Sequence, residues 1–219
     1  MEVTETATLV GISTRTAIRQ YQKIRNICLS ILKVNSTQIG GEGIEVEIDE
    51  IHIFKAKNNK GRLLAGQATW IVGGVEQTSK KAFMVMTKKR DKETLNNIIL
   101  NWVLPHTTIY TDMWQGYNDL KALGYQHHTV NHSTNFLNPV DQSINTQKVE
   151  RFWRSVKDSI PKGANGEKKS DHYFIYLFRR CFLNNSNDGQ KFKMFLTYIK
   201  HQFPGLINQH QNQIIVESY

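Results

Sequence analysis

Three acidic residues that are far apart in the sequence are candidates for a shared metal site. Asp49 lies in a segment of alternating apolar residues, Asp112 follows a short β-branched segment, and Glu150 lies on an amphipathic segment with helical spacing. Carboxylates that meet at one point repel one another unless a cation is present, so such a cluster is typical of sites for hard divalent ions. Two such ions promote phosphodiester cleavage and transfer. We therefore expect Asp49, Asp112 and Glu150 to bind two Mg²⁺ or Mn²⁺ ions.

Each of these acids also has an ordinary structural interpretation. Asp49 is compatible with an exposed strand position, and Asp112 is compatible with a helix N-cap. Glu150 is four residues before Arg154, a spacing that permits a surface ion pair on a helix. These alternatives stay open for each acid alone, whereas their joint occurrence in a basic chain favours the metal site.

The segments around these acids predict a mixed α/β fold. Alternation at Ile44, Val46 and Ile48 predicts a first strand, and the apolar segments 70–75 and 82–86 predict two more in an antiparallel meander. A loop is expected over 55–66. The segments that follow are a helix capped by Asp91, a strand at 107–111, a helical stretch at 117–124, a strand at 127–131 and helices at 147–159, 171–183 and 192–202. This order predicts an RNase H-like mixed sheet of about five strands flanked by helices.

The chain is expected to have four parts. Residues 1–34 predict a helical segment in which the turn Gly11-Ile12-Ser13 resembles that of a helix-turn-helix. An ordinary amphipathic helix that packs on the core or pairs with another subunit is the alternative. Residues 35–43 are polar and rich in glycine and are interpreted as a linker. Residues 44–203 are the expected catalytic domain, and 204–219 are a C-terminal tail.

The charge of the chain favours a polyanionic partner. It has 28 Lys and Arg against 19 Asp and Glu, a formal net charge of +9, and its basic residues occur in blocks. A basic surface of this kind is typical of nucleic-acid binding, although a basic protein without such a partner is also possible. Trp153, on the same segment as Glu150, either covers the core edge or lies near the site. The candidate DNA contacts are Arg15, Arg19, Lys148, Arg151, Arg154 and Lys157.

Several classes of protein are not expected from this sequence. No apolar run approaches the length of a membrane span, and the first residues lack the plan of a signal peptide. Cys28 and Cys181 fit neither a disulfide framework nor a zinc site. No phosphate-binding glycine-rich loop is found, so ATP is not expected. His127, His128 and His132 have a spacing compatible with metal ligands, but a structural or surface role is preferred for them.

Several spaced motifs resemble those of one family. They are EIDE at 47–50, WIVGGV at 70–75, YTDMWQGY at 110–117, VNHS at 130–133 and NTQKVERFWRSVK at 145–157. Together they resemble the ISXO2-like DDE transposases of insertion sequences, which also occur as copies in animal genomes, over about residues 44–200. The resemblance implies that Asp49, Asp112 and Glu150 are the metal-binding triad and that Lys157 contacts DNA. It places His132 near the site without a defined role.

The resemblance also implies a function. A DDE transposase hydrolyses phosphodiester bonds at the ends of its element and joins the freed 3′-hydroxyls to target DNA, as a homo-oligomer on DNA. The place of action is expected to be the nucleus in a eukaryote or the cytoplasm in a bacterium. Two alternatives remain open at this point, a domesticated transposase-derived protein that binds DNA without catalysis and an RNase H-like nuclease that does not join strands.

Overall fold

The computed structural model describes residues 3–52, 70–130, 146–161, 167–183 and 187–204, with the backbone alone described at 167–170. The predicted loop at 55–66, His132 and residues 205–219 lie outside these ranges. No helix within them is long and apolar enough to cross a membrane. The elements in chain order are α1 (Val3–Val10), α2 (Thr14–Asn35), β1 (Ile39–Gly40), β2 (Glu45–His52), β3 (Trp70–Glu76), β4 (Ala82–Thr87), α3 (Lys92–Trp102), β5 (Val103–Leu104), β6 (Thr108–Asp112), β7 (Gln126–Val130), α4 (Gln147–Asp158), α5 (Glu167–Phe182) and α6 (Asp188–Gln202).

Five strands form one mixed sheet in the order β4-β3-β2-β6-β7. The strands β2, β3 and β4 are paired antiparallel, with Asp49 on β2 opposite Gly73 on β3. On the other side of β2, β6 pairs in parallel with Glu47 opposite Tyr110, and β7 pairs in parallel with β6. An antiparallel meander extended by two parallel strands is the RNase H-like arrangement, so the fold predicted from the sequence is confirmed.

One face of the sheet covers the main apolar core. Val46 and Ile48 of β2 point into this core, where they meet the buried stripe of α3. The helix begins at a defined position because the side chain of Asp91 accepts a hydrogen bond from the Thr94 amide, as an N-cap does. Its buried residues are Leu95, Ile98 and Ile99.

The opposite face of β2 and β3 is covered by α4. The helix buries Val149, Phe152, Trp153 and Val156, which are apolar residues at helical spacing. The indole of Trp153 fills the space over Gly73, since a Cβ built on this glycine would be 2.6 Å from the indole carbons. The absence of a side chain at Gly73 therefore sets how closely α4 approaches the sheet.

Three elements differ from the sequence prediction. The expected helical stretch at 117–124 is a 3₁₀ turn at Gln115–Tyr117 followed by hydrogen-bonded turns. Several of its hydrogen bonds join residues three apart, and Gly124 ends it in the left-handed conformation with φ +90°. The strands β1 and β5 pair in parallel over two residues each, and such short strands carry no periodic signal. β1 lies within the segment interpreted as a linker.

The described residues form two compact units. Ser36–Cys181 form one, and the described residues before and after it form the other. In the second unit, α1 and α2 meet at Gly11, whose φ of +71° favours glycine. Ser13 then caps α2 by accepting a hydrogen bond from the Thr16 amide. The helix α6 belongs to the same compact unit as α1 and α2, whereas the sequence analysis includes it in the catalytic domain over 44–203. The division of the chain into functional domains stays a prediction.

Replacing Gly73 by alanine is expected to destabilise the fold. The added Cβ would overlap the Trp153 indole and push α4 away from the sheet, and overpacking of this kind costs about 1–3 kcal/mol. The measurement is the free energy of unfolding in urea. Gly189→Ala is the control, because the nearest atom to its added Cβ is 3.5 Å away. Equal stability of Gly73→Ala and wild type would contradict the close packing.

Candidate active site

Two of the predicted acids lie on neighbouring strands, Asp49 within β2 and Asp112 at the end of β6. β2 and β6 are parallel, with Glu47 opposite Tyr110, and the same register continued by two residues brings Asp49 opposite Asp112. The Oδ1 atom of Asp49 accepts a hydrogen bond of 2.8 Å from the Glu50 amide. Asp112 Oδ1 accepts one of 3.0 Å from the Trp114 amide. Both side chains are partly exposed, so solvent and ligands can reach them.

Glu150 approaches the same face of the sheet from α4. It lies in the first turn of that helix and is partly exposed. Trp153, one turn further on, packs over Gly73, which is the residue paired with Asp49 on the neighbouring strand. The packing of α4 therefore places Glu150 on the side of the sheet that carries Asp49.

The charges of Asp112 and Glu150 both act on Asp49. Burial, together with the negative charges of Glu50, Asp112 and Glu150, raises the pKa of Asp49 to about 7, against a lowering by the hydrogen bond from the Glu50 amide. The described ranges contain no three His, Cys, Asp or Glu side chains already at ligand spacing around one point. The structure thus brings the predicted acids near one another without forming a closed ligand cage.

A fourth acid, Glu47, is fully buried between β2 and α4. Its Oε2 atom accepts hydrogen bonds of 2.8 Å from the Lys148 amide and 2.9 Å from the Val149 amide. Burial raises the pKa of Glu47 to about 7, while these two hydrogen bonds lower it. Sequence analysis missed this residue because its role depends on a contact between positions about a hundred residues apart.

A fifth acid, Glu50, points to the opposite face and is neutralised there. Its carboxylate is 3.3 Å from the guanidinium of Arg90 and accepts a hydrogen bond of 2.5 Å from the Tyr117 hydroxyl. The guanidinium lies over the rings of both Trp70 and Trp114, at 4.4 and 4.3 Å from their centroids. Arginine between two indoles is a favourable cation–π arrangement. This cluster lies beside Asp112, since Trp114 is hydrogen-bonded to it.

The predicted DNA contacts are exposed, and they divide between the two units. Arg154 and Lys157 follow Glu150 by four and seven residues, which places them on the same helix face. Lys148 and Arg151 are also exposed, and the Lys148 ammonium donates a hydrogen bond to the Gln77 carbonyl. Arg15 and Arg19 are exposed on α2 in the other unit.

The remaining predicted neighbours have different placements. Trp153 is buried in the core against the sheet, which agrees with the first of its two interpretations. His132 lies outside the described residues. His127 is buried on β7, with Nε2 2.8 Å from the Thr111 hydroxyl, and His128 is exposed and stacks on Tyr110.

The fold and these acids define the class of protein: an RNase H-like domain with acidic residues on adjacent strands and on a following helix. A family model of the ISXO2-like transposase domain matches residues 38–180. The chain therefore belongs to the ISXO2-like transposase family, as its motifs predict.

Three other proteins are similar to parts of this chain. The chain is 30% identical over 122 residues to an uncharacterized transposase-like protein of Haemophilus influenzae, a match that covers 55% of this chain and 94% of the relative. The catalytic core domain of BIV integrase is similar at a TM-score of 0.39 and 16% identity, over 73% of this chain and 97% of that one. The HTLV-2 integrase catalytic core domain in complex with magnesium is similar at a TM-score of 0.42 and 15% identity, over 70% of this chain and 97% of that one.

Removing the cation beside Glu50 is expected to destabilise the domain. Arg90→Met leaves the buried carboxylate of Glu50 without its cationic partner, which should lower the free energy of unfolding by about 2–4 kcal/mol. In the Glu50→Gln background the same change should cost less, because the amide is neutral. A double-mutant cycle in urea measures the difference. Additive effects of the two substitutions would show that the ion pair does not act as described.

The burial of His127 predicts a pH dependence of stability. Burial lowers the pKa of His127 from 6.5 to about 4, so between these pH values the histidine is protonated in the unfolded chain and neutral in the folded chain. The free energy of unfolding therefore falls as the pH is lowered from 6.5 toward 4, by no more than about 3 kcal/mol from this residue. His127→Gln should lack this loss in urea unfolding at successive pH values.

Other groups that titrate in the same pH range contribute equally to wild type and to each variant, so their effect on the free energy of unfolding cancels in the difference. His128→Gln is the matched control for this measurement, because His128 is an exposed histidine on the same strand. If the His127 and His128 variants follow the same pH profile, the buried imidazole is not the cause.

Proposed function

We propose that this chain is a metal-dependent DDE transposase that cleaves phosphodiester bonds at the ends of its element and joins the freed 3′-hydroxyls to target DNA. The carrying observation is that Asp49 and Asp112 lie on neighbouring parallel strands, Asp49 within β2 and Asp112 at the end of β6, while α4 brings Glu150 to the same face. Membership of a transposase family supports this chemistry over that of other RNase H-like proteins.

The donor set fits divalent magnesium or manganese. Asp49, Asp112 and Glu150 supply hard carboxylate oxygens, the ligands these ions prefer, and each side chain is partly exposed. Burial and the negative charges of neighbouring acids raise the pKa of Asp49, and a cation between the acids would relieve the repulsion. Two bound ions would activate the attacking water or 3′-hydroxyl and stabilise the leaving oxygen.

The exposed cations on α4 suit the phosphate backbone of DNA. Arg154 and Lys157 share the helix face of Glu150, so a strand that reaches the acids also passes these side chains. Their contacts would position the scissile phosphate without reading its sequence. Lys148, Arg151, Arg15 and Arg19 are proposed as further phosphate contacts, and the active form as a homo-oligomer on DNA.

The triad is tested by strand cleavage and transfer with Mg²⁺ or Mn²⁺ on a labelled duplex carrying the repeats that flank the coding sequence. Asp112→Asn and Glu150→Gln each remove a charged ligand, and both should lower the rate by about 10³-fold or more while DNA binding persists. Glu93→Gln is the matched control, because Glu93 is an exposed acid on α3.

Each other outcome assigns a different activity. Wild-type nicking without joining would favour a nuclease, and binding of the duplex without cleavage would favour a DNA-binding protein that lacks catalysis. Activity that survives both triad substitutions would overturn the assignment of the site.

A further inference from the structure

Glu47 links the strand that carries Asp49 to the helix that carries Glu150. Its side chain is fully buried, and one oxygen accepts hydrogen bonds from the amides of Lys148 and Val149. These amides belong to the first turn of α4, where N–H groups have no partner within the helix. A carboxylate at this position also interacts favourably with the positive end of the helix dipole.

Few residues separate the candidate ligands Asp49 and Glu150 along the route through the Glu47 contact. Glu47 and Asp49 are two residues apart on β2, so their side chains leave the same face of the strand. Val149, whose amide is bound to Glu47, is the residue directly before Glu150. A second contact holds the same end of the helix, since the Lys148 ammonium donates a hydrogen bond to the Gln77 carbonyl.

The contact is an unusual way to hold a helix in place. The second oxygen of Glu47, Oε1, is buried and has no hydrogen-bond partner among the described residues. An unsatisfied buried carboxylate oxygen costs free energy that an apolar side chain at this position would avoid. The buried apolar residues of α4 already pack the helix against the sheet. What the Glu47 contact adds is a fixed position for the first turn of the helix.

We infer that Glu47 is a positioning residue, which sets the location of the Glu150 carboxylate relative to Asp49 by holding the first turn of α4. This inference rests on the proposed metal-dependent function of the triad. The consequence is that loss of the acceptor at position 47 weakens metal binding and catalysis while the sheet and the later turns of α4, which carry Arg154 and Lys157, remain in place.

Amide hydrogen exchange of the full chain, followed by NMR, tests the contact without reference to activity. In wild type the amides of Lys148 and Val149 should exchange slowly, although first-turn amides are ordinarily unprotected. Glu47→Leu removes the acceptor and should make these two amides exchange rapidly while β2 and β3 stay protected. Glu47→Gln keeps a carbonyl acceptor and should preserve the protection. Rapid exchange of both amides in wild type would overturn the inference even if Glu47→Leu does not fold.

Metal affinity and strand transfer test the consequence. In Glu47→Leu, the dissociation constant for Mn²⁺, measured by electron paramagnetic resonance without DNA, should rise about 10-fold or more. Strand transfer should fall by about 10²-fold, since small misplacements of catalytic groups cost this much. Glu47→Gln should restore both to within several-fold of wild type, a rescue that loss of general stability would not give.

Glu76→Leu is the matched control. Glu76 is another buried acid at the end of a strand, and it accepts hydrogen bonds from the Gly40 amide and the Ser79 hydroxyl rather than from α4. It should leave Mn²⁺ affinity unchanged. Unchanged Mn²⁺ affinity in a Glu47→Leu protein that has lost the two protected amides would overturn the inference. If exchange and affinity respond as expected but wild type joins no strands, the positioning role stands and the proposed reaction fails.

Discussion

The burial of several carboxylates close to one another is the constraint around which this domain is organised. Asp49 and Asp112 lie on adjacent strands, Glu150 approaches them from α4, and Glu50 follows Asp49 directly. The fold treats these acids differently. Glu50 has the Arg90 guanidinium and the Tyr117 hydroxyl as partners, whereas burial and the neighbouring acids raise the pKa of Asp49. Burial raises the pKa of Glu47 and Glu50 as well, so the electrostatic cost is shared by Asp49 and the two buried acids on the same strand.

Much of the fold could be predicted from local patterns. Alternation in β2 and the apolar segments of β3 and β4 identified the meander, and the stripe of α4 identified the helix that carries Glu150. Each of these signals extends over at least five residues of one element. The two-residue strands β1 and β5 offer no such pattern. The stretch at 117–124 has apolar residues at helical spacing, but it is a 3₁₀ turn and hydrogen-bonded turns that end at left-handed Gly124.

The candidate site could be predicted in part for the same reason. Asp49 and Asp112 lie on strands that the strand order makes neighbours, and Glu150 lies in the first turn of the helix that covers β2, so their placement on one face follows from topology. The roles of Glu47 and Arg90 depend on which distant residue lies opposite each of them. Arg90 stacks between Trp70 and Trp114 from three separate segments, and no spacing in the sequence encodes such a contact.

The alternation of β2 has a consequence for the kinds of sequence change this family can accept. Glu47 and Asp49 face α4, while Val46, Ile48 and Glu50 face the core and the Arg90 cluster. Insertion or deletion of a single codon within this strand would exchange the two sets, sending the site acids into the apolar core and the core residues toward the helix. Such a length change would therefore disturb the core and the candidate site in one event.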